Sequence, residues 1–335
     1  MKLATLEKIV SIHPIEQADN IELVEVLGWN VIVKKNQFIP SDWCIYVPID
    51  TVINKSIKGF ENFTSTRIKT RLIRGVWSQG IVLGIGELDE NIQAQINSNL
   101  VEGVDLSELL SITKYEKIDE FVSNSSKSKN SKEFPTHILS KTDEDNLRTK
   151  NKCLDEFDSL EIYISKKMDG SSLTIIYDSD SLVRVCSRNL DITNDLINPM
   201  CQYVHNTGLD KLDIRSIAIQ GEFCGPKINS NRLELKSYEF YIFNIKNLET
   251  GNYYGLDQLK EFVQIHGIEL VPILDQLFYD KSIHTIQWFQ DFANSITYQK
   301  SKPGEGIVIR PINPVYSPTL QKNLSCKVIN QLYKD

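Results

Sequence analysis

The chain has no run of 18 or more apolar residues, no CxxC pair and no histidines at metal-ligand spacing. The first absence argues against a membrane-spanning helix, so no membrane partner is expected. Six cysteines, Cys44, Cys153, Cys186, Cys201, Cys224 and Cys326, lie scattered over 335 residues. That spacing argues against a disulfide framework or a zinc cage and suits reduced thiols in a cytosol or nucleus. His13, His137, His205, His266 and His284 are equally dispersed and read as structural. The start, Met1-Lys2-Leu3-Ala4-Thr5-Leu6-Glu7-Lys8, lacks the apolar stretch of a secretory leader, so a cytoplasmic setting is expected. There is no internal repeat. The net charge of -7 argues against indiscriminate binding to nucleic acid, although association responds to a local patch and not to the sum.

Hydrophobic content of 41% and charged content of 24% describe a globular chain, long enough for two domains with separate cores. Residues 1–115 are rich in short β-prone runs: Ile21 to Val26, Trp29 to Val33, Trp43 to Val47, Ile68 to Trp77 and Gly80 to Ile85. About five strands suit an OB-like β-barrel, and Asp105 to Leu110 reads as a short helix at its end. A local basic track crosses this region: Lys55, Lys58, Arg67, Lys69, Arg71 and Arg74 against Glu61 alone. On one strand, Arg67, Lys69 and Arg71 share a face by the period of two, with Arg74 and Trp77 following. Such a face suits a phosphate backbone; the alternative is an edge strand guarded by charge. Residues 116–135 include Ser123 to Lys132, which hold no aliphatic residue and read as an exposed loop or linker. Residues 136–335 read as antiparallel sheets with flanking helices, the helical patterning falling at 142–157, 256–266 and 283–299. The fold class is therefore α+β. No obligate protein partner is evident.

The chemistry-bearing residues fall in the second region. Ile162 and Ile164 alternate with Tyr163 and Ser165, so Lys167 leaves its strand opposite the isoleucines. An ordinary lysine, with a pKa of about 10.4, must be deprotonated before it attacks phosphorus. Nearby cations or a bound metal would lower that value, and Lys327 is a better source than Lys166, which points the other way. Asp169 and Gly170 form the turn that follows, with Gly170 leaving the backbone open to a nucleotide, unless the four residues are only a surface turn between two strands. Arg188 offers fixed donors to a phosphate or ribose, unless it is a solvated charge at a strand end. Glu222, between Gly221 and Phe223, serves a ribose hydroxyl or a metal, unless it is an edge-strand carboxylate. Glu305, between Gly304 and Gly306, permits close approach of a ligand, unless it marks a plain tight turn. Phe243 stacks on a purine or belongs to the core. Lys327, beside Val328 and Ile329, either snorkels to water or meets an anion.

Taken in order, Lys167-Met168-Asp169-Gly170, Ser187-Arg188-Asn189, Gly221-Glu222, Phe240-Tyr241-Ile242-Phe243, Glu305-Gly306-Ile307-Val308-Ile309-Arg310 and Lys327 resemble the motif series of covalent nucleotidyltransferases. That superfamily comprises ATP-dependent DNA ligases, RNA ligases and mRNA capping enzymes. DNA ligases and capping enzymes carry an OB domain after the last motif; here Asp335 lies eight residues beyond Lys327 and the OB-like segment comes first. That order resembles ATP-dependent RNA ligases of the Deinococcus and Naegleria type. Arg71-Leu72-Ile73-Arg74-Gly75-Val76-Trp77-Ser78-Gln79-Gly80, Glu133-Phe134-Pro135-Thr136 and Ser140-Lys141-Thr142-Asp143 are also similar to that family.

The resemblance implies an enzyme that uses ATP and a divalent cation, magnesium or manganese, to seal 3'-hydroxyl and 5'-phosphate ends of RNA. Lys167 would become lysyl-AMP. Arg188 and Glu222 would hold the ribose and the shell of metal-bound water. Phe243 would cover adenine, Glu305 would engage waters of the catalytic metal, and Lys327 would meet the α-phosphate. The family pattern has Asp after the stacking Phe, where this chain has Asn244. Some wider relatives have Lys-x-Lys at the last motif, where Ser325 stands in the first position. A DNA ligase or guanylyltransferase is the nearest rival. A non-catalytic RNA-binding protein is another, because Arg74 to Gly80 is also similar to OB-type tRNA-binding modules.

Overall fold

Alternating apolar residues in the first third pair as short antiparallel strands. A computed structural model describes residues 2–115, 132–180, 182–195, 197–299 and 302–333, and the chain separates into two compact units, 1–117 and 118–335. In the first unit β1 (Thr5–Lys8), β2 (Ser11–Pro14), β3 (Ile21–Val26), β4 (Trp29–Lys34) and β5 (Trp43–Val47) are followed by β6 (Thr51–Val52), β7 (Arg71–Ile73), β8 (Val76–Ser78), β9 (Ile81–Gly84) and β10 (Thr113–Lys114). They form two three-stranded sheets, β1-β5-β9 and β2-β3-β4, and two ribbons, β6-β10 and β7-β8. Among the described residues these sheets do not close into a barrel, which corrects that part of the expectation.

β5 is buried on both faces. Ile45 and Val47 join Leu6, Leu83, Phe60 and Leu110 in one cluster, while Cys44 and Tyr46 join Val24, Val31 and Trp29 in another. Period-two alternation along a single strand thus supplies both cores. Two other readings change. Residues 107–111 form turns and not a helix. Ile68 to Trp77 is not one strand: β7 and β8 are a hairpin whose two-residue loop, Arg74-Gly75, has φ of 52° and 78°. Two successive positive φ values suit a tight hairpin with the right-handed twist of its strands.

In the second unit, β11 (Lys132–Glu133), β14 (Ser171–Tyr177), β15 (Val183–Cys186), β16 (Leu190–Asp191), β17 (Ile217–Cys224), β18 (Glu239–Asn247) and β19 (Glu269–Leu270) form a seven-stranded sheet ordered β11-β16-β15-β14-β17-β18-β19. A five-stranded sheet, ordered β12-β24-β21-β13-β20, contains β12 (Asp145–Asn146), β13 (Glu161–Lys167), β20 (Ile273–Phe278), β21 (Gly306–Pro311) and β24 (Cys326–Ile329). β22 (Tyr316–Ser317) and β23 (Lys322–Asn323) pair separately. Pairing is antiparallel except for β12 with β24 and β18 with β19. The helices Pro199–Asn206 and Leu256–His266 pack Met200, Val204, Leu259 and Phe262 against the larger sheet. The helix Ile286–Ser295 packs Phe289 and Ala293 against the smaller one.

The helical expectation for residues 142–157 fails. They give β12 and a 3-10 segment, Asn151–Phe157, whose Cys153 and Phe157 enter the core of the smaller sheet. The expected linker lies largely outside the described residues; its end, Lys132–Glu133, pairs with Leu190–Asp191. No helix among the described residues is long and apolar enough to cross a membrane.

Candidate active site

Even-numbered residues of β13 face the core, because Ile162 and Ile164 pack with Ile307, Ile309, Cys326 and Val328. The opposite face carries Tyr163, Ser165 and Lys167 from β13, Val308 and Arg310 from β21, and Lys327 from β24. Register fixes their places: Lys167 pairs with Gly306, while Ser165, Val308 and Lys327 form a row across three strands. Lys327 therefore shares the face of Lys167, two strands away.

Lys167 Nζ lies 2.6 Å from Glu305 Oε1, and the two side chains are only 22% and 18% exposed. Glu305 is held by its backbone, whose carbonyl accepts from Asn330 N at 3.0 Å. The Lys167 carbonyl accepts from the Tyr298 hydroxyl at 2.7 Å. Burial acts to lower the Lys167 pKa, but the carboxylates of Glu305, Glu222 and Asp169 outweigh it and hold the ammonium well above the ordinary lysine value. The expectation of a nearby cation that lowers it is thus corrected for this state: the direct neighbours are anions.

Glu222 stands on β17 opposite Ser172. Burial pushes its carboxyl up to about 8; Lys167 pulls against that, and Glu305 and Asp169 add to it. Its Oε1 accepts from Gly170 N at 3.1 Å. Gly170 must lack a side chain here, since a Cβ would lie 2.5 Å from Phe223 O and 2.8 Å from Glu222 Cγ. Asp169 is 6% exposed. Burial and then Glu305 raise its pKa, while the Tyr333 hydroxyl, Lys167 and Arg232 oppose the shift.

Phe243 owes its orientation to a β-bulge. Gly221 pairs with Ile242 and Gln220 with Asn244, so Phe243 is the extra residue on β18. It packs in a small cluster with Met168, Cys224 and Val271, and the Arg310 guanidinium lies 5.5 Å from its ring centroid. Arg310 is itself held by Glu144 at 2.6 Å. Although burial disfavours the Glu144 carboxylate, Arg310, the Ser325 hydroxyl and Lys322 hold its pKa below the usual range. Three consecutive acids reach three cations: Asp143 to Arg188 at 2.5 Å, Glu144 to Arg310, and Asp145 to Lys322 at 3.0 Å. Arg188 is thus tied through Asp143 to the segment that leads into β12 of the smaller sheet.

A family model for RNA ligases matches residues 160–329, a span that contains Lys167, Arg188, Glu222, Phe243, Glu305 and Lys327. The chain belongs to the RNA ligase family. A second model, for an OB-fold domain, matches residues 3–85. No curated protein matches the ligase in sequence. Among solved structures, Naegleria gruberi RNA ligase with pyrophosphate is 29% identical, with a TM-score of 0.80, and the match covers 99% of this chain and 98% of that one. Mutants of the same enzyme with ATP and manganese, and with AMP and manganese, are each 28% identical over the same shares, with TM-scores of 0.81 and 0.80.

Of the residues singled out by sequence, Lys167, Asp169, Gly170, Glu222 and Glu305 form one interacting group. Phe243 and Arg188 join it through Met168 and through the acid triplet, and Lys327 through sheet register. Among the described residues, no group of three or more His, Cys, Asp or Glu side chains is arranged to hold a metal directly. Asn229, Arg232, Tyr298 and Tyr333 surround the Lys-x-Asp-Gly turn and escape a reading by sequence; only their neighbours in the fold reveal them.

The basic set of the first unit does not share one strand face. Only Arg71 belongs to β7, and Arg67 forms an isolated bridge with Val52. The Arg67 guanidinium is paired with Asp50 at 2.8 Å and stacked 3.7 Å from the Tyr115 ring centroid. These partners tie it into the domain. Lys69, Arg71 and Arg74 are exposed, the last at the hairpin tip.

Proposed function

We propose that this ligase uses ATP to seal 3'-hydroxyl and 5'-phosphate ends of RNA, at nicks, through a lysyl-AMP intermediate. The Lys167–Glu305 contact at the Lys-x-Asp-Gly turn carries the reading, because it sets an amine against a carboxylate able to take its proton. Lys167 Nζ loses a proton and attacks the α-phosphorus of ATP; a P–N bond forms and the P–O bond to pyrophosphate breaks. An oxygen of the RNA 5'-phosphate then attacks that phosphorus, breaking the P–N bond and returning the amine. The 3'-hydroxyl loses its proton, attacks the 5'-phosphorus and releases AMP.

The residues fit such a substrate. Gly170 lets the Lys-x-Asp-Gly turn pack directly on β17 beside Glu222, Glu222 and Arg188 offer an acceptor and donors for ribose and phosphate, Phe243 offers an aromatic face for adenine, and Lys327 offers a charge for the α-phosphate. ATP and manganese accompany the Naegleria relative in its solved structures, which supports the same pair here. Glu222 and Glu305 would hold magnesium or manganese through water, and a bound cation would offset phosphoryl charge.

Two measurements test this reading. Labelled ATP with metal should leave AMP on the protein, and nicked RNA should be sealed. A GTP-derived adduct would instead indicate a guanylyltransferase, preference for nicked DNA would indicate a DNA ligase, and RNA binding without an adduct would indicate a non-catalytic protein. Any of these outcomes overturns the proposal.

RNA is assigned to the exposed part of the basic track. Replacing Lys69, Arg71 and Arg74 together by Ala is expected to weaken sealing and to reduce the log–log salt slope of RNA binding by about two to three units. Adenylylation should be unchanged. Equal loss of self-adenylylation would sink this division of labour.

A further inference from the structure

The segment after β17 has a backbone that L-residues seldom adopt. Lys227, Asn229, Ser230 and Asn231 have φ of 67°, 44°, 60° and 45°, so three successive non-glycine residues occupy the left-handed region. Asparagine tolerates that region better than most residues because its short amide bonds locally. Such strain persists only where the surroundings impose it.

The surroundings are the Lys-x-Asp-Gly turn. Asn229 Nδ2 donates to Asp169 Oδ1 at 2.9 Å and to Gly170 O at 2.6 Å. Both partners accept, so the amide can face them only through its NH2 group. One side chain therefore bridges the carboxylate and the next carbonyl of the turn that ends β13. Arg232 adds a second tie, with its Nε 3.7 Å from Asp169 Oδ2 and its guanidinium 4.3 Å from the Tyr333 ring centroid. Lys302 anchors the far end of the segment to Glu234 at 2.7 Å. Asn231 serves the segment itself, because its side chain bonds Leu235 N at 3.1 Å and Leu235 O at 2.9 Å.

We propose that Asn229 is a positioning residue for the covalent step, holding Asp169 and Gly170 so that Lys167 meets the α-phosphorus in line. The inference rests on the lysyl-AMP reading above. Asn229 need not touch the nucleotide. It acts on the turn that follows the nucleophile, so it bears on the rate of bond formation more than on ATP binding.

The test uses the full chain and variants that respect the backbone. Asn229→Gly keeps the left-handed conformation and removes the amide; Asn229→Asp keeps the shape and replaces the donor with an acceptor. Asn231→Gly removes only the segment's internal bonds. Single-turnover adenylylation is measured against ATP concentration, with melting temperature alongside. Asn229→Gly is expected to lower the rate constant at saturating ATP by about tenfold to a hundredfold with little change in the ATP concentration giving half the rate. Asn229→Asp should lose at least as much, and Asn231→Gly should lose melting temperature but keep its rate constant. A wild-type rate in Asn229→Gly overturns the proposal, as does a loss that Asn231→Gly reproduces in proportion to its melting temperature. Absence of an adduct in the unmodified protein would instead overturn the lysyl-AMP reading itself.

Discussion

Lys167→Ala and Lys167→Arg are both expected to abolish the protein–AMP adduct, but only Lys167→Arg should keep the site's stability. Arginine retains the cation opposite Glu305 yet stays protonated at any working pH, so it cannot attack. Alanine leaves Glu305, Glu222 and Asp169 without their shared counter-charge. Because burial already pushes Glu222 up to about 8, folding is penalised progressively as pH rises from the ordinary carboxyl range toward that value. Removing Lys167 should deepen this penalty, so the melting temperature of Lys167→Ala should fall more at about pH 8 than at about pH 6. The lysine has the opposite linkage. Its pKa is raised in the folded protein, so its contribution is present below the ordinary lysine value and is lost as pH rises through the folded one. For the unmodified protein, the neutral amine fraction grows about tenfold per pH unit, and adduct formation should climb from about pH 6 to about pH 8. Above that, ionised Glu222 adds a further anion beside Lys167 and the climb should flatten. An adduct that persists in Lys167→Ala would remove this residue from the chemistry.

The strand carrying that lysine is legible because alternation decides a sheet face. Ile162 and Ile164 must be buried, so Lys167 must lie opposite. The helix expected at 256–266 runs over Leu256–His266 because its apolar spacing and Gly267 stop both suit a helix. Residues 142–157 are less legible. Leu147, Cys153, Leu154 and Phe157 have helical spacing, but they pack against β24 and its neighbours from the turn after β12 and a 3-10 segment. The hairpin at Arg74-Gly75 escapes a reading by sequence because arginine is not a usual first residue of such a turn, so Gly75 alone signals it. The members of the site can be named from the sequence, but their partnerships cannot. Asp50 and Tyr115 capture Arg67 only because distant segments meet. Similarly, Glu305 reaches Lys167 because β21 and β13 pair in one register and not in another.

That register makes Gly306→Ala the substitution with the largest expected cost in stability. Gly306 lies between Lys167 on β13 and Ile329 on β24. Its φ is 146°, a conformation closed to residues with a Cβ. An added Cβ would stand 2.1 Å from Val328 O and 3.0 Å from Ile329 Cα. Both are backbone atoms of a paired strand, so no flexible side chain can turn aside. The ladder would have to open at the point that brings Glu305 to Lys167. A cost above about 4 kcal/mol is expected, large enough to unfold a marginal domain. Thermal unfolding and limited proteolysis should show the second unit destabilised, with adduct formation lost in the same samples. If Gly306→Ala melted like the unmodified protein, the β13–β21–β24 register, and the Lys167–Glu305 contact built on it, would be wrong.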